Sequence, residues 1–185
     1  AIKDKVPSNM KYIIMTDRDH MPDTILENIL CYEEVLEKGD SNIEWPEFPE
    51  ETASSLCYTS GTTGNPKGSL YTHRSTVLHS LTAGISFPET MRAGVRILPV
   101  VPLFHVNAWG LAYAAPLVGA SIIFPGPNLD GKSIFDLMDS ENVFSAWGVP
   151  TVWLGLLSEI ENRGRIPNGF GEAIIGGSAV PRYIV

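Results

Sequence analysis

The sequence predicts an α/β domain with mixed sheets and packed helices, and three observations support that prediction. Short β-prone runs alternate with longer segments of helical spacing through the second half of the chain. Residues 95–101 are mostly apolar, which is typical of a strand that is buried on both faces of a sheet. The 185 residues are 44% hydrophobic, which is enough for a folded core.

The first third of the chain contains weak signals and then a clear pair of strands. Residues 12–15 form a short β-prone run, and residues 32–38 can form a short helix that the following glycine would end. Residues 41–51 are acidic and contain two prolines, so we expect an extended surface connection there. The strand 53–59 follows, and residues 69–72 are long enough to pair with it as a hairpin.

The second half is expected to contain four more strands and four helices. The strands are residues 95–101, 121–124, 143–146 and 173–175. The helices are centred on residues 78–85, 109–117, 133–138 and 150–160. Ser133 and Asp136 form a plausible capping box for the third of these helices, and Pro150 suits the first turn of the fourth.

An apolar stripe predicts the helix that follows the hairpin. Leu78, Leu81 and Ile85 recur at helical spacing, which predicts a helix here. Thr72 or Ser75 could cap the start of this helix.

Composition and charge argue against several classes of function. The net charge of −8 argues against nucleic-acid binding, which needs basic patches. Cys31 and Cys57 lack the spacing of a metal site and are too few for a disulfide framework, so we expect a reduced, cytoplasmic location. No apolar run reaches the roughly 18 residues of a membrane-spanning helix, and no signal-peptide pattern precedes the first strand.

The strongest functional signal is a loop rich in glycine and hydroxyl side chains that follows the strand 53–59. Gly61 and Gly64 permit backbone conformations that direct successive N–H groups toward one anion. Lys67 adds a compact positive charge that suits phosphate. These residues predict a site for a triphosphate. The hydroxyl donors of the loop are Thr59, Ser60, Thr62 and Thr63.

Two alternatives exist for this loop. A solvated turn between two strands would seldom contain so many glycine and hydroxyl residues. The P-loop pattern G-x-x-x-x-G-K-[ST], counted from Gly61, places Pro66 where the second glycine belongs. It also places Gly68 where Ser or Thr must hold Mg²⁺. The P-loop pattern therefore fails at two positions.

Residues 59–68, Thr-Ser-Gly-Thr-Thr-Gly-Asn-Pro-Lys-Gly, resemble the phosphate-binding signature of the adenylate-forming superfamily at every position. That superfamily includes acyl-CoA synthetases, luciferases and the adenylation domains of peptide synthetases. The resemblance implies that residues 1–185 are part of the large N-terminal, AMP-binding domain of such an enzyme, without the smaller C-terminal lid domain.

Residues 102–110, Pro-Leu-Phe-His-Val-Asn-Ala-Trp-Gly, directly follow the strand 95–101. Ligands of open α/β sheets gather beyond the carboxyl ends of strands, so the position favours a site. On residue type alone, core packing explains a histidine and an aromatic residue here better. The segment resembles the Pro-x-Phe-His-x-x-x-Trp-Gly motif of the medium-chain and fatty-acyl-CoA ligase branch. That resemblance implies that His105, Val106 and Trp109 line an acyl pocket.

A turn of small residues follows the last predicted strand. Small residues let a flat group lie close to the backbone, although many strand-to-helix turns look alike. By the resemblance, Gly177, Ser178 and Ala179 pack on the adenine of a nucleotide, and Gly177 also borders the acyl group.

The resemblance implies a reaction in two steps. A substrate carboxylate attacks the α-phosphorus of ATP, which releases pyrophosphate and leaves an acyl-adenylate, and coenzyme A then displaces AMP to form a thioester. The protein contributes mainly positioning and charge neutralisation. Thr59, Lys67 and His105 are the expected catalytic residues, and Thr59 is the expected protein oxygen nearest to Mg²⁺. We expect the acid to be an apolar monocarboxylic acid of short to medium chain.

The family's motifs extend beyond those found here. Members of the superfamily continue into an aromatic-Gly-x-Thr-Glu motif, a ribose-binding aspartate and a C-terminal catalytic lysine. We therefore expect an internal part of a ligase, inactive by itself, whose full-length form could be a homodimer. The alternatives are a nucleotide-binding module without catalysis and an interaction domain, and ATP binding by the purified chain would distinguish these two.

Overall fold

The computed structural model describes residues 5, 7, 9–59 and 64–182, without the side chain of Thr59. The chain divides into two compact units, Ala1–Glu47 and Phe48–Val185. Among the described residues, no helix is long and apolar enough to cross a membrane.

The first unit contains a small parallel sheet and one short helix. Strand β1 (Tyr12–Ile14) pairs with β2 (Ile29–Cys31), with Tyr12 opposite Ile29. Helix α1 (Tyr32–Glu37) follows directly. The first strand and this helix were predicted, whereas β2 was not, because three residues carry too little pattern to be distinguished from a loop.

The second unit begins with the predicted hairpin. Strand β3 (Ala53–Thr59) pairs with β4 (Lys67–Thr72) in antiparallel register, and Thr59 lies opposite Lys67 at the last pair before the loop. The bounds of β3 agree with the prediction, and β4 begins two residues earlier than the predicted 69–72. The glycine-rich loop therefore connects the two strands of this hairpin, whose register shifts between Ala53 and Ser55.

A four-stranded parallel sheet with helices on both faces forms the rest of this unit. The strand order is β6-β5-β7-β8, for β5 (Arg96–Pro99), β6 (Ser121–Ile122), β7 (Ser145–Gly148) and β8 (Glu172–Ile175). The helices are α2 (His73–Ser86), α3 (Val106–Trp109), α4 (Leu111–Val118), α5 (Gly131–Ser140) and α6 (Pro150–Arg163). The α/β prediction is confirmed, including every strand that the second half was expected to contain.

Alternate residues of the sheet enter two separate cores, as the side-chain period of two requires. Ile97 and Trp147 belong to the cluster formed with α2 and α4. Leu98 and Ala146, their neighbours in sequence, belong to the cluster formed with α5 and α6. Because both faces are covered, the carboxyl ends of the strands are the places where a ligand can approach the sheet.

Side-chain hydrogen bonds cap the starts of α2 and α5, and only one of the two caps was predicted correctly. Thr72 is the N-cap of α2, and its hydroxyl and that of Ser75 form a reciprocal capping box. The capping box predicted for α5 from Ser133 and Asp136 is wrong. Asp130 is the N-cap and accepts hydrogen bonds from the backbone N–H and hydroxyl of Ser133, because a carboxylate three residues earlier reaches both donors.

The apolar stripe of α2 predicted the helix but not its packing. Leu78, Leu81 and Ile85 are all more than half exposed in this chain, and the buried positions are Ser80 and Ala83. The small residues let α2 lie close to α4, so the large side chains point away from that contact.

Candidate functional site

The tip of the hairpin holds the residues predicted to bind phosphate. The last described pair of the stem joins Thr59 to Lys67, and Lys67 is exposed. Gly64 has a φ of 119°, and a Cβ added there would have no neighbour within 4 Å, so its conformation rather than crowding favours glycine. The predicted site residues Ser60, Gly61, Thr62 and Thr63 lie outside the described residues.

The hairpin stem is connected to the second predicted motif by a side-chain hydrogen bond. The amide nitrogen of Asn107 donates to the hydroxyl of Ser55, in β3, over 3.3 Å. This contact brings the hairpin stem to the segment that follows β5. Neither residue was predicted as part of the site, because a contact across 52 positions leaves no periodic signal in the sequence.

The segment α3 is a left-handed turn of four residues that are not glycine. The φ angles of Val106, Asn107, Ala108 and Trp109 are 50°, 53°, 51° and 56°, and Gly110 continues the turn at 81°. Left-handed backbone costs roughly 1–2 kcal/mol for each such residue, so contacts around the turn must hold it. The predicted helix 109–117 is therefore too long at its start: the right-handed helix begins at Leu111.

Packing and one hydrogen bond hold the turn in place. Ala108 is fully buried in the core that α2 and α4 form. The imidazole Nε2 of His79, in α2, lies 3.1 Å from the carbonyl oxygen of Trp109. A Cβ at Gly110 would overlap that imidazole, so only glycine lets the ring approach so closely.

The indole of Trp109 lies across the carboxyl ends of neighbouring strands. Its ring centroid is 6.3 Å from that of Trp147, in β7, and a Cβ added to Gly176 would lie 3.0 Å from its ring. The next residue, Gly177, has a φ of 85° and packs against Val149. Trp109 thus lies beside Gly176, the neighbour in sequence of the predicted site residue Gly177. The indole rings of Trp109 and Trp147 and the backbone of Gly176 form what we call the Trp109 wall.

A buried hydrogen-bond chain supports this wall from beneath. The indole N–H of Trp147 donates to the hydroxyl of Ser145 over 3.0 Å, and that hydroxyl donates to the carboxylate of Glu172 over 3.3 Å. The hydroxyl of Thr90 donates to the same carboxylate oxygen. Ser145 and Thr90 are fully buried, so these bonds satisfy groups that water does not reach.

A pocket of about 140 Å³ opens beside the left-handed turn. Carbon-rich side chains form most of its wall, and its polar groups are amides, hydroxyls and an imidazole. It is lined by His79, Tyr71, Val106, Asn107, Gly110 and Tyr113, among others. Val106 and Asn107 of the turn therefore border this pocket, while Trp109 contacts Trp147 and Gly176.

Three of the predicted site residues contact neither the Trp109 wall nor the pocket beside the turn. His105 is exposed, its backbone N–H bonds to the carbonyl of Pro102, and its imidazole makes no hydrogen bond to the part of the chain that the structure describes. Ser178 and Ala179 are exposed in the turn after β8. Their predicted roles toward a ligand stay predictions.

The strongest electrostatic perturbation lies between α5 and the loop after α6, away from the residues of the predicted site. The guanidinium of Arg165 and the backbone N–H of Asn168 hydrogen-bond the carboxylate of Asp139 and hold its pKa well below the usual value. Within the described residues, no group of three or more His, Cys, Asp or Glu side chains could hold a metal ion.

Comparison with known proteins identifies the family. The profile described as "AMP-binding enzyme" matches residues 3–185. The chain is 46% identical over 186 residues to the medium-chain-fatty-acid–CoA ligase of Ectopseudomonas oleovorans, covering 100% of this chain and 34% of that protein. It is 44% identical over 185 residues to the 3-methylmercaptopropionyl-CoA ligase of Ruegeria lacuscaerulensis, covering 100% and 34% respectively.

A solved structure supports the same assignment at the level of the fold. The inhibitor-bound N-terminal domain of FACL13 from Mycobacterium tuberculosis superposes with a TM-score of 0.68 at 25% identity, over 84% of this chain and 39% of that one. The chain spans about a third of the length of the curated relatives it matches. The predicted fold, part of the N-terminal domain of an adenylate-forming enzyme, is thereby confirmed, and the chain belongs to the AMP-binding enzyme family.

Proposed function

We propose that this chain supplies the phosphate loop and part of the acyl pocket of an AMP-forming acyl-CoA ligase. Such an enzyme joins a carboxylic acid to ATP as an acyl-adenylate, with release of pyrophosphate, and then transfers the acyl group to coenzyme A. The observation that carries the proposal is the hydrogen bond between Asn107 and Ser55, since it ties the stem of the phosphate loop to the acyl-binding motif. Both relatives are named as ligases that form acyl-CoA.

The hairpin suits the nucleotide. Lys67 is the only cation in residues 53–72, and it begins β4 where the loop returns to the stem. A lysine at this place would neutralise phosphate oxygens of ATP and of the departing pyrophosphate. The loop residues 59–64 would add backbone N–H and hydroxyl donors around the same oxygens.

The surroundings of the left-handed turn suit an apolar acid. The pocket wall is formed mainly by carbon-rich side chains such as Val106 and Tyr113, and Trp109 covers the strand ends. No lysine or arginine occurs between residues 101 and 131, so a second carboxylate would find no partner in this segment. Burial of an unpaired charge costs several kcal/mol, so a dicarboxylic acid should be excluded.

The proposed acid is therefore an apolar monocarboxylic acid of short to medium chain. Each methylene that enters an apolar pocket contributes about 0.8 kcal/mol, so affinity should rise with chain length until the pocket is full. The names of the two relatives, a medium-chain fatty acid ligase and a 3-methylmercaptopropionyl-CoA ligase, are consistent with this class.

Several parts of the proposal rest on the family resemblance alone. Mg²⁺ would accompany ATP, with Thr59 as the nearest protein oxygen, although no group of three or more His, Cys, Asp or Glu side chains among the described residues could hold a metal ion. His105 as a catalytic residue, Gly177, Ser178 and Ala179 beside adenine, a cytoplasmic location and a homodimer are likewise proposals.

A full-length ligase that carries this segment provides the test. Acid-dependent exchange of labelled pyrophosphate into ATP should rise from acetate through hexanoate and octanoate, and succinate and adipate should support none. Thioester formation with coenzyme A should follow the same order. Exchange with dicarboxylic acids but not with octanoate would refute the acyl assignment. Binding of ATP without exchange by any acid would favour a nucleotide-binding module without catalysis.

A further inference from the structure

The imidazole of His79 contacts the left-handed turn, and neither motif includes this residue. It lies in α2, 30 positions before the residue whose carbonyl it contacts. A carbonyl oxygen only accepts, so Nε2 of His79 must be the donor in this bond. The carbonyl belongs to Trp109, whose side chain forms the wall over the strand ends.

We propose that His79 is a positioning residue that sets acyl selectivity by holding the left-handed turn, and this inference rests on the proposed function. The turn needs such a contact because its four residues from Val106 to Trp109 occupy a conformation that side chains disfavour. The hydrogen bond fixes the last carbonyl of the turn, and Gly110 packs directly against the ring. The same imidazole forms part of the pocket wall together with Val106 and Tyr113.

The position of His79 joins two parts of the proposed substrate site. On one side the turn carries the side chain of Trp109 to Gly176 and Trp147. On the other side it borders the pocket that His79 lines. Loss of the hydrogen bond would let the turn relax toward allowed backbone angles, and that movement would displace both walls together. The hairpin stem is held by the pairing of β3 with β4, so KM for ATP should change less than the acyl profile.

The experiment compares substitutions of His79 in a full-length ligase that carries this segment. His79→Ala removes the donor, and His79→Gln keeps an amide N–H near the place of Nε2. His79→Asn keeps a polar side chain that is too short to reach the carbonyl. Thr82→Ala is the matched control, because Thr82 is an exposed residue of the same helix whose hydroxyl bonds only to the carbonyl of Leu78.

The first measurement is hydrogen exchange at the amide of Gly110, which bonds to the carbonyls of Val106 and Asn107 within the turn. Exchange should accelerate about 2- to 13-fold in His79→Ala and His79→Asn, the range for one hydrogen bond of about 0.5–1.5 kcal/mol. It should stay near the parental rate in His79→Gln and Thr82→Ala. Equal rates in His79→Asn and His79→Gln would overturn the proposal, and this pair decides the matter even if His79→Ala does not fold.

The second measurement is kcat/KM for straight-chain acids from four to twelve carbons, with KM for ATP determined in parallel. The ratio between the best acid and its neighbours should change by a similar 2- to 13-fold factor in His79→Asn, whereas KM for ATP should stay within about 2-fold. Faster exchange at Gly110 with an unchanged acyl profile would refute the role in selectivity. If the parent enzyme ligates none of these acids, the proposed function fails, while exchange at Gly110 still reports on the turn.

Discussion

Replacement of Ser145 by alanine tests the hydrogen-bond chain beneath the Trp109 wall. Ser145 is fully buried, and Trp147 is 4% exposed, so water cannot replace the lost hydroxyl as partner of the indole N–H. A buried donor left without a partner costs about 1–3 kcal/mol. Glu172 loses one donor as well but keeps the hydroxyl of Thr90. We therefore expect Ser145→Ala to lower the free energy of unfolding by about 1–3 kcal/mol.

A double-mutant cycle separates this cost from a general effect of truncation. Trp147→Phe removes the indole N–H, so no donor is left unpaired when Ser145→Ala is added in that background. The serine substitution should then cost less than in the parental protein, because only the bond to Glu172 is lost and that carboxylate keeps the hydroxyl of Thr90. Ser140→Ala is the surface control, since its hydroxyl only bonds to the carbonyl of Leu137, and it should change stability by less than about 0.5 kcal/mol.

Urea titration followed by tryptophan fluorescence gives these free energies for each variant. The reasoning fails if Ser145→Ala costs the same in the parental protein and in the Trp147→Phe background. It also fails if Ser145→Ala and Ser140→Ala are equivalent. Either result would show that the bond between Ser145 and Trp147 does not stabilise the wall.

Three further predictions concern the loop, the wall and the response to pH. In a full-length ligase, Lys67→Ala should slow pyrophosphate exchange by about 10- to 150-fold, which corresponds to the loss of one charge-assisted hydrogen bond. Thioester formation from supplied acyl-adenylate should be nearly unchanged. Equal losses in both reactions would show that Lys67 has a structural role instead. Trp109→Ala should shift the preference among acid chain lengths more than KM for ATP, and the opposite pattern would place Trp109 at the nucleotide. Arg165 and Asn168 lower the pKa of Asp139 in the folded state. The stability that this carboxylate contributes is therefore complete above about pH 3.9, the pKa of Asp in the unfolded chain, and is lost as the pH falls toward the folded-state pKa. The stability difference between the parent and Asp139→Asn should therefore shrink in acid, and a difference constant from pH 7 to pH 2.5 would contradict the assignment.

The sequence was sufficient for the order of the elements in the second unit. Apolar runs and glycine stops placed β3 at its observed bounds and located all four strands of the parallel sheet. Residues 102–110 follow β5 as predicted, whereas residues 60–63 of the predicted phosphate loop lie outside the described residues. Local pattern is enough for these features, since each depends on neighbours in sequence.

The features that the sequence could not supply are set by contacts between distant residues. The composition of Val106–Trp109 does not predict a left-handed turn, since none of the four residues is glycine. The bond from His79 and the bond from Asn107 to Ser55 each join different elements. The apolar stripe of α2 is exposed, since helical spacing predicts a helix but does not tell which of its faces has a partner within this chain.

The hairpin is formed by residues close in sequence and the Trp109 wall by residues far apart, and this difference determines the order in which they form during folding. The hairpin of β3 and β4 closes a short loop between Thr59 and Lys67, so little chain entropy opposes its formation. The Trp109 wall needs the ends of β5, β7 and β8, which come together only after two helical crossovers have closed. Contacts of such long sequence separation form late in folding. During refolding, amides of the hairpin should therefore gain protection from hydrogen exchange before the amide of Gly176, whose bond to the carbonyl of Gly148 closes the wall. A nascent chain would thus build its hairpin stem at a stage when the Trp109 wall does not yet exist.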